Sequence, residues 1–333
     1  MLSGLLLAVG VALAGASVWA ATNSATVIIV VGAPGEEQLG RSFAGAAEHW
    51  AEASARAGAQ SIVIGLGATN GPPDLERLKD TLAQEPKESS LELWLVLLGH
   101  GTFDGREAKF NLRGPDMTAT NLAVWLRPFR RPVAVVNCAS SSAPFLKDLA
   151  APGRVVITAT RSGYEQNFTR FGPYLAGAIA DPEADLDRDG QTSLLEGFIM
   201  ASRRVAEFYA AEGRLATEHA LLDDNGDGLG TPADWFRGIR AVKRARDGAA
   251  LDGLRAHQFH LVRSDAELRL APAVRARRDE LELAVGRLRE TKAQLNAEDY
   301  YQQLERLLLE LARLSTGDQE PSRSAASGGD RAP

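Results

Sequence analysis

The sequence predicts a mainly parallel α/β sheet between helical layers, followed by a helical region and a C-terminal helical hairpin. Three observations carry this. From residue 25 to about 160, apolar runs of strand length alternate with amphipathic stretches of helix length, the pattern of successive βαβ units. After Tyr174 the strand signal gives way to helices separated by two acidic loops. Further on, leucines recur at three- and four-residue spacing in two blocks parted near Asn296.

Each element has a local cause. Strands are expected at residues 27–31, 61–66, 91–98, 133–137 and 155–159, where valine, isoleucine and leucine crowd together. Helices are expected at 38–56, 73–83, 120–129 and 144–150, the second opened by a proline, which suits a first helical turn. Five parallel strands with right-handed crossovers make one three-layer domain over residues 25–180. Residues 181–265 form the helical region with the two acidic loops. Leu281, Val285, Leu288 and Leu295, then Leu304, Leu307, Leu311 and Leu314, predict an αα-hairpin over 271–314. The tail, 315–333, is rich in serine, glycine and proline without apolar period and is expected to be disordered.

Residues 1–20 read as a secretory signal, with an uncharged stretch from Leu5 to Ala21 and small residues Val18 and Ala20 placed for a cut after Ala20. The segment lacks a basic start, so an uncleaved membrane anchor is the alternative; otherwise the protein is exported to a periplasmic or extracellular location. A net charge of −6 offers no basic stripe for nucleic acid. Gly32-Ala33-Pro34-Gly35 is followed by Glu36 and Glu37, which repel phosphate, and the chain contains no Gly-x-Ser-x-Gly elbow.

Cys138 is the single cysteine and ends the fourth apolar run; His100, between Gly99 and Gly101, ends the third. A lone thiol has no intramolecular disulfide to make, so reactivity explains it better than bridging. A cysteine nucleophile needs a base or cation nearby to supply thiolate, and histidine suits that task. Of the five histidines only His100 ends a strand of the same sheet. A backbone N–H left open by the glycines flanking His100 could, with that of Cys138, receive an oxyanion. Taken singly, Gly-His-Gly is also a plain turn and Cys138 also a small buried hydrophobe.

The runs ending Leu98-Gly99-His100-Gly101 and Val136-Asn137-Cys138-Ala139-Ser140, followed by Val155 to Thr160 and Phe171-Gly172-Pro173-Tyr174, resemble the caspase-like cysteine peptidases, nearest the legumain-like C13 branch. The resemblance spans about residues 25–180. It implies a caspase-like α/β/α sandwich and a Cys/His dyad: Cys138 as nucleophile, His100 as proton-transfer residue, Gly101 and Cys138 as oxyanion donors. It also implies that the segment 158–166 lines the substrate pocket, where Arg161 would select an acidic residue and Glu165 a basic one.

The first acidic loop, Asp185 to Glu196, fits a twelve-residue calcium loop, with oxygens from Asp185, Asp187, Asp189, the Gln191 carbonyl and a bidentate Glu196, and Gly190 at the turn. The second, with Asp223, Asn225, Asp227 and Asp234, is a weaker version because aspartate ends it, and it reads equally as an Asx-rich turn. Calcium is the cofactor expected, as a structural staple. The function expected is an exported cysteine endopeptidase acting on peptides; the rival is an inactive caspase-like module for protein interaction. The hairpin offers a surface for self-association.

Overall fold

The computed structural model describes residues 24–68, 70–248 and 250–316. The expected signal and all but the first two residues of the expected tail lie outside these. Among the described residues no helix is long and apolar enough to cross a membrane.

The main sheet is built from β1 (Thr26–Val31), β2 (Gln60–Ile64), β3 (Leu93–Leu98), β7 (Val133–Asn137) and β8 (Arg154–Thr158), all paired in parallel. Between β3 and β7 runs a small antiparallel sheet of β4 (Gly101–Phe103), β5 (Ala108–Phe110) and β6 (Met117–Thr118). Helices α1 (Glu37–Arg56), α2 (Asp74–Gln84), α3 (Ala119–Leu126), α4 (Ala143–Leu149), α5 (Phe171–Ala178) and α6 (Leu194–Ala211) complete the layers. The sequences TVIIVV and LWLVLL of β1 and β3 are apolar at every position but Thr26 because both faces are covered.

Of the strands that were not expected, two join the main sheet. β9 (Leu221–Asp223) and β10 (Thr231–Pro232) flank the second acidic loop and extend the sheet antiparallel, giving the order β10-β9-β8-β7-β3-β1-β2. With three and two residues they are too short to show a period in sequence. Leu222, with Leu194, Phe198 and Val205 of α6, packs into the same core as Val27, Trp94 and Val136, so this part of the region after residue 180 shares the core of the α/β sheet.

Side-chain alternation divides the core into two. Val27, Ile29, Trp94, Val96, Ala134 and Val136 face α1, α5 and α6, whereas Ile28, Val30, Leu95, Leu97, Val133 and Val135 face α2, α3 and α4. Beyond the sheet follow the ribbon β11 (Phe236–Arg237) and β12 (Arg240–Ala241), then α7 (Leu254–Gln258) and α8 (Asp265–Arg269). The expected hairpin is present as α9 (Pro272–Glu290) and α10 (Ala297–Thr316), bridged by Arg277 to Glu310. Gly286 of α9 lies against Leu254 of α7, where a Cβ would come within 2.4 Å of a leucine methyl.

Candidate active site

Neighbouring parallel strands end just before the two residues expected to form a dyad. β3 and β7 run in register to the pair Leu97–Asn137, and the Cys138 N–H continues the ladder by donating to Leu97 O at 2.9 Å. Cys138 therefore lies across from Leu98, and His100 follows two residues later. Cys138 shares the sheet face of Trp94, Val96 and Leu98, and His100, past the end of β3, packs against Phe43 of the same core. The His100 ring meets Phe43 of α1 edge-on at 5.1 Å and lies 6.5 Å from Phe168; its Nε2 is 3.4 Å from Pro34 O.

The turn after His100 and the loop after Cys138 are stitched to each other. Gly101 N–H donates to Ser140 Oγ at 3.1 Å, and the same hydroxyl donates back to Gly101 O at 3.1 Å. A Cβ on Gly101 would fall 2.2 Å from Ser140 O, so only glycine permits this approach. Ser142 Oγ accepts from Ala159 N–H and Thr160 N–H, tying the loop to the end of β8. Ser141 between them adopts a left-handed backbone, φ 53°, uncommon for a residue with a side chain.

Both expected oxyanion donors are engaged in this conformation. The Gly101 N–H meets a hydroxyl, which a substrate oxygen can replace. The Cys138 N–H is a ladder bond to Leu97, so its expected role is corrected: strand continuation past Asn137 has taken that donor.

The thiol is closed in. Cys138 is 3% exposed, and Gly172 in the first turn of α5 sits on it so closely that a Cβ there would come 2.8 Å from Cys138 Cβ and 3.4 Å from Sγ. Burial pushes the thiol far above its ordinary range, and the negative charge of Glu218 adds to that. Thr169 Oγ1 donates to Cys138 O, which ties the segment 161–170 to the end of β7.

Arg161 and Glu165 are found on that segment, but they face each other and a third partner. Glu165 Oε1 lies 2.6 Å from His219 Nδ1 and 3.4 Å from Arg161 Nε, while its Oε2 accepts from the Arg161 and His219 N–H groups. Arg161 is mostly exposed. The expectation that either points freely into a substrate pocket is therefore corrected: their charges are matched within the loop.

Two site residues escaped the sequence reading. Glu218 is 2% exposed and accepts from Arg170 N–H, Phe171 N–H and Tyr209 OH. Burial raises its carboxyl above the ordinary range, against these donors and Arg170. Its neighbour His219 holds Glu165. Both line an apolar cavity of about 390 Å³ with Ala159, Phe171, Val205 and Ala216. A buried Glu218 and a half-buried His219 beside a short strand leave only an isolated Glu-His in sequence, a signal without spacing.

In the first acidic loop, carboxylate oxygens of Asp185, Asp187 and Asp189 all lie within 4.8 Å of one another. Asp185 accepts from the Asp189 and Gly190 N–H groups, and the turn uses left-handed backbone at Arg188 and Gly190. Glu196 stands outside that group. Its Oε1 accepts from Leu186 N–H at 2.7 Å and its Oε2 from Ser193 N–H and Oγ at 2.8 Å, closing a capping box at the start of α6. The Gln191 side chain bridges Asp189 and Ser264 N–H. Burial, then Asp189 and Glu196, raise the Asp187 carboxyl, with His257 opposing at 3.3 Å.

The second loop differs. Asp223 accepts from Gly226 and Gly228 N–H, Asn225 from Asp227 N–H, and Asp227 from Leu229 N–H, a succession of Asx turns. Asp223, Asp227 and Asp234 do not form a group within 4.8 Å of one another. Strand β10 carries Asp234 on to a 3-10 turn beside the apolar cavity, which corrects its expected place as the twelfth ligand.

No family model and no curated protein matches the chain. Among solved structures it is similar to the Drosophila initiator caspase Dronc, at 11% identity and TM-score 0.39 over 62% of this chain and 81% of that one. It is likewise similar to caspase-1 from Spodoptera frugiperda, at 9% identity and TM-score 0.37 over 61% and 86%. A third, a Geobacter sulfurreducens protein, gives 12% identity and TM-score 0.37 over 54% and 88%. At these levels the reading of the site rests on its own geometry.

Proposed function

We propose that this chain is a caspase-like cysteine endopeptidase, nearest the legumain-like branch, exported by its N-terminal segment and resting here in a closed state. One observation supports the reading: the adjacent parallel strands β3 and β7 run out at the same sheet edge just before His100 and Cys138, and His100 packs on Phe43 of the core that also holds Cys138. Ligands and chemistry gather at that edge in open α/β sheets.

The chemistry follows from the residues. The Cys138 thiolate attacks the carbonyl carbon of a peptide bond, forming an S–C bond, while the carbonyl oxygen replaces Ser140 Oγ as the acceptor of Gly101 N–H. The C–N bond then breaks, with His100 giving a proton to the leaving amine. Water, deprotonated by His100, releases the acyl group and restores the thiol. Burial of Cys138 beneath Gly172 requires that the amino end of α5 and the segment leading into it move before substrate enters.

Calcium in the loop 185–196 is part of the proposal. The hard oxygen donors of Asp185, Asp187 and Asp189, and the crowding that raises Asp187, suit a divalent cation. Such an ion would hold the start of α6 against the sheet.

The rival, an inactive interaction module, draws on the burial of Cys138. Profiling a peptide library separates the two. The peptidase cleaves, and Cys138→Ala and His100→Ala each abolish cleavage; a module cleaves nothing.

A further inference from the structure

Glu218 is a buried carboxylate for which the proposed mechanism has no use, yet it is placed at the nucleophile's electrostatic surroundings. It reaches from the segment before β9 to the amino end of α5, where Arg170 N–H and Phe171 N–H donate to it at 2.8 and 3.0 Å. The next residue, Gly172, is the one packed on the Cys138 thiol. The amino end of a helix carries partial positive charge, and a cysteine beside it is ordinarily drawn toward thiolate. A carboxylate seated on the same N–H groups opposes that pull.

We propose that Glu218 is a positioning residue that holds Cys138 as a resting thiol by covering the positive amino end of α5 with a negative charge. The inference rests on the peptidase reading only for its purpose: it concerns the ionisation of Cys138 itself. The other charged and titratable groups around the pair leave Glu218 as the near, fixed anion. Arg170 lies with its guanidinium 3.9 Å from the Phe208 ring and pulls on Glu218. Tyr209 of α6 donates to Glu218. Glu165 pairs with both Arg161 and His219. His100 follows β3, and α1 presents the apolar Phe43.

Glu218→Gln keeps the shape. Its amide oxygen can accept from the helix N–H groups while its amide nitrogen donates to Tyr209 Oη, which in turn donates to Thr217 Oγ1, now 2.9 Å away. The test is a pH titration of thiolate absorbance near 240 nm (a property of thiolates generally), with Cys138→Ala as the blank; the chain has one cysteine. The expected result is a midpoint lowered by about one pH unit or more in Glu218→Gln, roughly tenfold more thiolate at a given pH, with Glu218→Asp nearer the wild type. A midpoint that stays in place or rises in folded Glu218→Gln overturns the proposal.

Should that variant not fold, the wild type decides by charge selectivity. Cys138 should react with a cationic methanethiosulfonate in preference to an anionic one, at least about tenfold beyond the ratio for free cysteine. An equal ratio overturns the proposal. Neither measurement uses a substrate. A lowered midpoint without peptide cleavage upholds the role of Glu218 and counts against the peptidase, and cleavage with an unmoved midpoint does the reverse.

Discussion

Gly101 and Ser140 hold each other in both directions: the serine hydroxyl accepts from the glycine N–H and donates to the glycine carbonyl, each at 3.1 Å. This doubled bond is the fixed joint between the turn that presents His100 and the loop that follows Cys138.

Ser140→Ala should therefore cost stability by about 1–3 kcal/mol, because it leaves a buried N–H and carbonyl unpaired. Gly101→Ala should cost more, since its Cβ would meet backbone at 2.2 Å. Urea denaturation of both variants checks the order; equal stability to wild type would remove the joint from the account.

His260 sets an acid limit. Burial, then the neighbouring His257, lowers its imidazole from 6.5 to about 4. The folded state thus prefers the neutral ring, so the stability it contributes is present above pH 6.5 and lost as pH falls toward 4. The loss amounts to about 3 kcal/mol at most, and His260→Gln should flatten it. Thermal melting at pH 4 to 7 measures the slope.

Asp252 works with the opposite sign. Burial and the charge of Asp224 lift its carboxyl to about 8, so the folded state binds its proton more tightly than the unfolded one. Its contribution is full below the ordinary carboxylate range and is lost as pH rises toward 8. Asp252→Asn should make stability between pH 5 and 8 less dependent on pH, as read by denaturant midpoints across that range.

These predictions lean on features of unequal visibility. The parallel strands were legible because their apolar runs are continuous, and so were the placements of His100 and Cys138 at strand ends. The capping box of Ser193 and Glu196 was foreshadowed by spacing, although as a metal ligand. β9 and β10 were not legible, since their pairing with β8 comes from tertiary packing of Leu222 and carries no local period. The pairing of Glu165 with His219 was hidden for a similar reason: fifty-four residues part them in sequence.

Calcium should raise the melting temperature if the first acidic loop binds it. A cation at a hundredfold excess over its dissociation constant adds about 2.7 kcal/mol. Asp187→Asn should abolish the rise while Asp234→Asn leaves it intact. Melting with and without a chelator reads this, and an unchanged wild-type midpoint would count against the cation.

Helix α10 exposes Leu308 and Leu309. If the hairpin mediates self-association, sedimentation should show a concentration-dependent dimer that Leu308→Glu with Leu309→Glu returns to monomer. A wild type that stays monomeric at high concentration would set that surface aside.

The central claim is that Cys138 is a nucleophile served by His100. Intact mass spectrometry after incubation with a peptidyl acyloxymethyl ketone library tests it most directly. The account predicts one covalent adduct, mapped to Cys138 and strongly reduced in His100→Ala. Unmodified protein, in the wild type and in Glu218→Gln alike, would contradict it.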